Sequence, residues 1–413
     1  MSDMSWVHSN ADFQKILSEP KIRMCNSASM EELFMQYGQK FYKAGHLTAE
    51  YMSKCGDISK LDTYFFALVY LYRHGLELIL KAIAFQFILE REARADFLEN
   101  TFHNLAKIFT VVKTFINPQN LFSEEVIIWV EQYLAGISCI DKESDSFRYP
   151  FNISITYNKR GGKEYRAKPV FEKQTYIDLI ALANKMEITY LFLECVYNKV
   201  PYNSKEYTNY TTEFLQEGGS YYDQCVVGYD YAIGKFFPFI KAYSEIPRML
   251  VAKMLSGQES CDILFLPVCY LYRNAVELAL KGILYEESLH SRQESLRLIY
   301  RYKHKIWGLW QSIRKQIIEE AGAPKADETV QYVDKYISQL HNYDPSSSVF
   351  RYPVDKHLAY HFKNTRVLDI ENVDNFFSEL ISFLEAVDMM LSAHNEWRAE
   401  MEAEQRSNMD FDY

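Results

Sequence analysis

Three charged residues recur in two closely similar segments of the sequence. Residues 70–81 read YLYRHGLELILK and residues 270–281 read YLYRNAVELALK, so eight of twelve positions match at an offset of 200. Each segment carries an Arg, a Glu and a Lys at intervals of four residues, which places the three side chains along one stripe of a helix. They are Arg73, Glu77 and Lys81, and then Arg273, Glu277 and Lys281.

This repeated stripe has two interpretations. On a solvated face it would form ordinary ion pairs, each contributing about 0.3 to 0.5 kcal/mol. Neighbouring positions differ between the two segments while the three charges do not, which favours a buried or shared role. That role is either a charged seam, meaning a structural stripe centred on Glu77 and Glu277, or contact of the four cations with phosphate.

A second block repeats further along the chain. The pattern Asp141-x-x-Ser144-x-x-Phe-Arg-Tyr-Pro returns at residues 344–353, at an offset of 203. An Arg beside a Pro-stiffened turn suits phosphate, and a Tyr ring can stack on a base. Equally, the two arginines could pair with Glu77 and Glu277 inside the bundle. The candidate RNA-binding or phosphate-binding residues of this block are Arg148, Tyr149, Arg351 and Tyr352.

Histidines recur in the same order. His103 and His304 are 201 residues apart and lie near predicted helix starts, where an imidazole can cap the helix, transfer a proton or contact phosphate. A structural role is the alternative for both. The second half also contains Arg351-x(5)-His357, whereas the position equivalent to His357 in the first half is Ser154.

The order and spacing of these repeats predict a duplicated, all-α chain. We expect two tandem homologous antiparallel helical bundles, a pseudo-dimer, at residues 30–200 and 225–395. The remaining segments are an N-terminal extension (1–29), a polar linker (201–224) and an acidic tail (396–413). Apolar periodicity predicts first-half helices at 30–54, 61–90, 103–116, 123–137 and 172–199. Alternation around Gly161-Gly162 predicts a small β-hairpin within 151–171, shortened in the second half.

Composition excludes several classes of protein. Of 413 residues, 48% are hydrophobic and 24% are charged, which indicates a folded globular chain. The net charge of −10 means that any nucleic-acid contact must come from a local basic patch. Two such patches exist, at Lys159, Arg160, Lys163, Arg166, Lys168 and Lys173, and at Arg292, Arg297, Arg301, Lys303 and Lys305.

The sequence gives no indication of a cofactor or a membrane anchor. Its seven cysteines contain no C-x-x-C, and the H-E-x-x-H, G-x-S-x-G and G-x-G-x-x-G motifs do not occur. We therefore expect neither a metal nor another cofactor. The N-terminal segment has no basic region followed by an apolar stretch, so it does not resemble a signal peptide. No apolar run approaches the roughly 20 residues that span a bilayer. We expect a cytoplasmic protein without a membrane partner.

The repeated YLYR-x(3)-EL-x-LK segment, the histidine that follows it and the R-x(5)-H spacing resemble the HEPN superfamily of helical prokaryotic defence and toxin proteins. The resemblance implies a cleft between two copies, lined by Arg and His, and metal-independent endoribonuclease activity. On that basis Arg351 holds the scissile phosphate and His357 transfers a proton, or His103 and His304 serve instead.

Two hypotheses follow for the function. In the first, the protein binds RNA and cleaves it as a defence effector. In the second, it is a catalytically inactive pseudo-dimer that acts as a sensor, scaffold or inhibitory partner of another protein. The second rests on the missing histidine at Ser154 and on the net acidity. RNA is the partner expected from the first hypothesis, and a protein partner or a homo-oligomer from the second.

Overall fold

The computed structural model describes residues 6–116, 121–322 and 327–410 and is mainly helical. The all-α prediction is confirmed, with short strands added. Residues 1–5, 117–120, 323–326 and 411–413, which include the ends of the predicted extension and tail, lie outside the described part. Up to residue 198 the elements are β1 (Lys21–Met24), α1 (Met30–Lys54), α2 (Ile58–Phe87), α3 (Arg91–Thr101), α4 (Leu105–Lys113), α5 (Glu124–Ile140), β2 (Phe151–Tyr157), β3 (Lys163–Pro169), β4 (Thr175–Asp178) and α6 (Leu179–Asn198).

The second part of the chain has a similar order of helices. Short 3-10 turns at Glu206–Asn209 and Asp230–Ala232 flank its first strand, and a π-helical turn, Ile283–Glu287, follows its second helix. The elements are β5 (Gln224–Val227), α7 (Phe237–Leu255), α8 (Cys261–Gly282), α9 (Arg292–Tyr302), α10 (Ile306–Glu320), α11 (Thr329–Tyr343), β6 (Arg366–Asp369) and α12 (Ile370–Asp410).

Two helices form the centre of the molecule. Helix α2 packs against α1, α4, α6 and α7, and helix α8 packs against α7, α10, α12 and α1. Both are apolar on nearly every face, as expected of helices surrounded by others. The segment Cys261–Glu287 is long and apolar enough to cross a membrane, but 94% of its most apolar window is buried inside the protein. Burial among helices accounts for its composition.

The helix contacts follow the same scheme in both halves, although common descent of the halves stays a prediction from the sequence. The packing of α2 on α7 corresponds to that of α8 on α1, and the packing of α4 on α5 corresponds to that of α10 on α11. Because α2 and α8 each contact helices of both halves, the central helices carry their charged stripes into the region where the halves meet.

Short strands connect each half to the other. Strand β1 pairs antiparallel with β6, which directly precedes the last helix of the second half, and β5 pairs antiparallel with β4, which precedes α6. The predicted linker is therefore not a free surface segment. Its Tyr207 and Phe214 are buried, and Phe214 packs against Tyr133 and Phe147.

Local boundaries differ from the predicted ones where breakers are weak. Helix α1 has the predicted bounds, and Ser29 and Glu32 form a capping box at its start. The predicted helix 172–199 begins only at Leu179, because Asp178 caps it and residues 175–178 pair as β4. Helix α3 was not expected. The hairpin is confirmed as β2 and β3, and its counterpart is reduced to a single bridge between Val354 and Tyr360.

Candidate functional site

The carboxylate of Glu77 is the centre of the first charged cluster. Its Oε1 accepts hydrogen bonds from Lys81 Nζ at 2.7 Å, His103 Nδ1 at 2.9 Å and Tyr352 Oη at 2.8 Å, and its Oε2 accepts one from Arg73. Glu77 and Arg73 are completely buried. We call these five residues the Glu77 cluster.

A second cluster repeats this arrangement around Glu277. Its Oε1 accepts from Lys281 Nζ at 2.7 Å, His304 Nδ1 at 3.1 Å and Tyr149 Oη at 2.7 Å, and Arg273 Nη1 donates to Oε2 at 3.2 Å. We call these five residues the Glu277 cluster. In both clusters the stripe on the central helix is a buried ion network and not a set of solvated pairs.

Each cluster takes its tyrosine from the opposite half of the chain. Tyr352, from the second half, bonds to Glu77, and Tyr149, from the first half, bonds to Glu277. The repeated Phe-Arg-Tyr-Pro block therefore crosses between the halves and completes the other half's cluster. Neither cluster is complete without both halves.

The buried arginines hold the histidines in position. Arg73 Nη2 donates to the backbone oxygen of His103, and Arg273 Nη2 donates to that of His304 at 2.7 Å. Arg73 Nε also lies 3.0 Å from Asp141 Oδ2. With their donors directed inward and no exposed side-chain surface, Arg73 and Arg273 do not offer the phosphate contact proposed for them from the sequence.

Both histidines are open to solvent on one side. His103 and His304 expose 31% and 33% of their side chains. Their Nδ1 atoms contact the buried glutamates, whereas no group in the described part of the chain bonds to Nε2 of either ring. A carboxylate bonded to Nδ1 keeps the proton on that nitrogen, so the Nε2 lone pair of the neutral ring faces outward. This is the geometry of a general base.

Burial sets the protonation of these groups. It lowers the pKa of His103 and His304 below 6.5 against the opposing pull of Glu77 and Glu277, so both rings are mainly neutral at pH 7. Burial alone would raise the pKa of Glu77. The cations around Glu77, Lys81 foremost, outweigh this effect and hold that pKa well below its usual range.

The backbone is strained immediately before each histidine. Phe102 has φ 47° and ψ −113°, and Lys303 has φ 49° and ψ −105°, conformations that residues with a side chain rarely adopt. Strain of this kind persists where the surrounding contacts impose it, and here the hydrogen bonds from Arg73 and Arg273 do so. Such strain is typical of functional sites.

Two further arginines lie between the clusters. Tyr70 and Tyr270 stack with ring centroids 4.8 Å apart. The guanidinium carbons of Arg148 and Arg351 lie 5.4 to 6.0 Å from the two rings. The alternative in which these arginines pair with Glu77 and Glu277 is not observed. The neighbouring tyrosines make those contacts. Arg148 pairs with Asp145 at 3.2 Å, and Arg351 has no carboxylate partner in the described ranges.

The buried charge of this region is positive in a chain that is acidic overall. Two arginines and one lysine of each half face two buried carboxylates of each half, and Arg148 also pairs with the partly exposed Asp145, which leaves one positive charge in excess. The buried cations are Arg73, Lys81, Arg148, Arg273, Lys281 and Arg351, and the buried carboxylates are Glu77, Asp141, Glu277 and Asp344. Buried charge without a partner is costly, so an excess of cations favours an anion nearby.

The structure does not bring Arg351 and His357 together. Arg351 is buried at the centre, whereas His357 is exposed and its backbone oxygen accepts a hydrogen bond from Arg91 at 2.9 Å. No hydrogen bond or ion pair links the Arg351 and His357 side chains in the residues described. The R-x(5)-H spacing therefore does not place Arg351 and His357 in one site. The histidines next to the charged stripes are His103, beside Glu77, and His304, beside Glu277.

Sequence reasoning named the members of both clusters but not their connections. It missed the exchange of Tyr149 and Tyr352 between halves and the stacking of Tyr70 on Tyr270. Tyr70 and Tyr270 are the first residues of the two repeated YLYR segments, so the repeat was the sequence feature that could have indicated their common role. Comparison with family models, with curated proteins and with solved structures finds no match to this chain.

Proposed function

We propose that this protein binds RNA and cleaves it endonucleolytically without a metal, as an HEPN-like effector of prokaryotic defence acting in the cytoplasm. The observation that carries the proposal is the pair of solvent-open histidines, each with Nδ1 held by a buried glutamate and a lysine beside that glutamate. The positive excess of the buried charges supports a phosphodiester as the ligand.

In the proposed reaction, the neutral imidazole acts first. His304 Nε2 takes the proton of a ribose 2′-OH, and the 2′ oxygen attacks the adjacent phosphorus. The bond from phosphorus to the 5′ oxygen breaks, and that oxygen leaves with a proton from water. The remaining hydroxide takes the proton from the His304 imidazolium and restores the neutral ring. The products are a 2′,3′-cyclic phosphate and a 5′-hydroxyl end. Lys281 and Arg148 are buried, and their positive charge stabilises the developing charge on the phosphoryl oxygens through the electrostatic field, without direct contact.

The buried glutamate has a positioning role in this scheme. Glu277 fixes the tautomer of His304 and stabilises the imidazolium that forms after proton transfer. Tyr149 shares the same carboxylate oxygen and bonds His304 Nδ1 at 3.2 Å, which further fixes the plane of the ring. Glu77 and Tyr352 would do the same for His103.

One observation favours the alternative, an inactive pseudo-dimer that serves as a sensor or scaffold. Lys81 and Lys281 expose only 5% and 6% of their side chains, and each already bonds its glutamate. If those lysines keep their bonds to Glu77 and Glu277 when RNA is present, the clusters act only as structural contacts that join the two halves.

The test uses the full chain with labelled single-stranded RNA and total tRNA in EDTA. We expect cleavage products with 2′,3′-cyclic phosphate ends, and no cleavage of an RNA that carries 2′-deoxyribose at the scissile position. The double variant His103→Ala/His304→Ala should lose activity, and His357→Ala, an exposed histidine outside the clusters, is the matched control. Loss in His357→Ala with full activity in the double variant would show that the assigned site is wrong.

A further inference from the structure

The β-hairpin and helix α9 form one continuous surface. The backbone N–H of Tyr165 in β3 donates to Gln293 Oε1 at 2.9 Å, and Gln293 Nε2 donates back to the Tyr165 oxygen at 2.8 Å. The rings of Tyr165 and Tyr300 lie 5.7 Å apart between their centroids. Two basic segments that are more than 120 residues apart in sequence are thereby joined side by side.

This surface, which we call the hairpin–α9 surface, is strongly basic. Ten of its cations have exposed side chains, whereas its acidic residues are Glu164, which pairs with Arg166, and Glu294, which pairs with Arg297. The exposed cations are Lys159, Arg160, Lys163, Arg166, Lys168, Arg292, Arg297, Arg301, Lys303 and Lys305. In a chain with a net charge of −10, such a concentration creates a local attraction for a polyanion.

Both parts of this surface, the β-hairpin and helix α9, lie next to the Glu277 cluster in the sequence. Strand β2 begins at Phe151, two residues after Tyr149, and α9 ends at Tyr302, two residues before His304. A strand of RNA that follows either segment towards the cluster therefore arrives beside His304, which exposes a third of its side chain. Tyr300, with 41% of its surface exposed, offers a ring on which a base can stack along the way.

The corresponding surface at the Glu77 cluster has the opposite charge. Helix α3 precedes His103 as α9 precedes His304, but its three exposed carboxylates outnumber its two arginines, Arg91 and Arg94. The carboxylates are those of Glu92, Asp96 and Glu99. The loop after Tyr352 has no hairpin, and Arg91 bonds to its backbone. Negative charge at this position repels a phosphate backbone.

We infer that single-stranded RNA binds along the hairpin–α9 surface and reaches only the Glu277 cluster, so that the two clusters are unequal. The RNA phosphates contact the arginines and lysines of the hairpin and of α9, and the bases stack on the exposed aromatic rings. The Glu77 cluster maintains the frame without contacting RNA. The unequal use of the two histidines rests on the proposed nuclease function, whereas RNA binding to this surface does not.

A first experiment compares the two histidines one at a time. His304→Ala is expected to lower the rate of RNA cleavage by about 100-fold or more, since a general base typically contributes that much. His103→Ala, at the equivalent position, is expected to cause a much smaller loss, and the control His357→Ala, outside both clusters, to stay within about threefold of the unsubstituted protein. Equal losses in both variants would overturn the inequality of the clusters and leave RNA cleavage itself intact.

A second experiment measures binding without cleavage. The probe is a fluorescent single-stranded RNA lacking reactive 2′-OH groups, followed by anisotropy at several salt concentrations. Arg292→Gln/Arg301→Gln, two exposed arginines of α9, is expected to weaken binding by about tenfold or more and to lower the slope of log K against log salt by about 1.4, which corresponds to two phosphate contacts. The control Arg91→Gln/Lys107→Gln removes the same charge beside the Glu77 cluster and is expected to change binding by less than about twofold.

The outcomes of this experiment separate the two proposals. Binding that is lost only in the α9 variant supports the hairpin–α9 surface even if the protein cleaves no RNA, a result that would remove the nuclease proposal alone. Equal weakening in both charge variants, or no weakening in either, would overturn the surface. Circular dichroism of each variant verifies the fold, which we expect to be unchanged because all four substituted side chains are exposed.

Discussion

Tyr352 donates a hydrogen bond of 2.8 Å to the buried carboxylate of Glu77, although 275 residues separate them in the sequence. In the equivalent bond, at 2.7 Å, Tyr149 of the first half donates to Glu277 of the second half. A hydroxyl that donates to a buried carboxylate makes a charge-assisted bond, which is stronger than a neutral one. These two bonds therefore join the halves at the same places where the histidines are held.

Replacing either tyrosine with phenylalanine removes this connection without removing the ring. We expect Tyr352→Phe to lower the free energy of unfolding by about 1.5 to 3 kcal/mol, because a bond to a charged group is lost in a buried site. Urea denaturation followed by circular dichroism measures the change. Tyr300→Phe, which removes an exposed hydroxyl, is the control and should change stability by less than about 0.5 kcal/mol. Equal stability of Tyr352→Phe and the parent protein would contradict the role assigned to the bond.

Neutralising a buried glutamate should be more damaging. Glu277→Gln leaves Lys281 and Arg273 without the charge that compensates them, and breaking a buried network of this kind costs about 3 to 5 kcal/mol. Thermal unfolding measures the loss. Glu294→Gln, at a partly exposed position of α9 where the carboxylate forms a surface pair with Arg297, removes the same charge and should lower stability by no more than about 1 kcal/mol. Similar unfolding temperatures for the two variants would show that the Glu277 network is not a stabilising centre.

The pH dependence of cleavage should reflect the histidine environment. Burial lowers the pKa of His304 below 6.5, and only the neutral ring accepts a proton. We therefore expect kcat/KM to rise with pH and to reach its plateau with a midpoint below 6.5. The measurement uses the His103→Ala variant, so that a single cluster histidine titrates. A midpoint above 6.5 would mean that the protonated ring, or another group, controls the reaction.

Stability should also depend on pH through His74. Its ring is completely buried, Nε2 contacts the Arg351 oxygen at 3.1 Å, and burial lowers its pKa well below 6.5. The unfolded chain therefore binds a proton at His74 below about pH 6.5, whereas the folded chain does not. The free energy of unfolding should fall with decreasing pH below that value, by up to about 1.4 kcal/mol per pH unit.

The other half of the chain supplies the substitution that tests this dependence. Asn274 occupies the position equivalent to His74, so His74→Asn places a residue already present in the matching helix. We expect the variant to show a shallower decline of stability between pH 6.5 and 5, measured by urea denaturation at a series of pH values. An unchanged slope would assign the pH dependence to other groups.

The sequence predicted helices well where periodicity and caps agree. The start of α1 at Met30 follows from the Ser29 cap, and the buried stripe on α2 follows from charges at intervals of four in an apolar helix. Helix α3 was missed because it is mostly polar, and with only Phe97 and Thr101 buried it shows little apolar periodicity. The four-residue strands β1 and β5 are too short for alternation to be distinguished from loop composition.

The candidate site was predictable in its members and not in its assembly. Spacing along one helix relates Arg73 to Glu77 because helical geometry fixes their separation. No local rule relates Tyr352 to Glu77, since their contact depends on how two whole bundles pack. The same limit applies to the basic patches, whose positions were evident although their alignment through Tyr165 and Gln293 was not.

The covalent union of both clusters in one chain has an evolutionary consequence. In an assembly of two identical subunits, every substitution appears twice, so a residue that improves one site also alters the other. Here α9 can accumulate arginine and lysine while α3 keeps its carboxylates, because each helix is encoded separately. The exchanged tyrosines limit this freedom, since a mutation at Tyr149 or Tyr352 in one half acts on the cluster of the other. Selection can thus change the surfaces beside the two clusters, on α9 and on α3, more freely than it can change the clusters themselves.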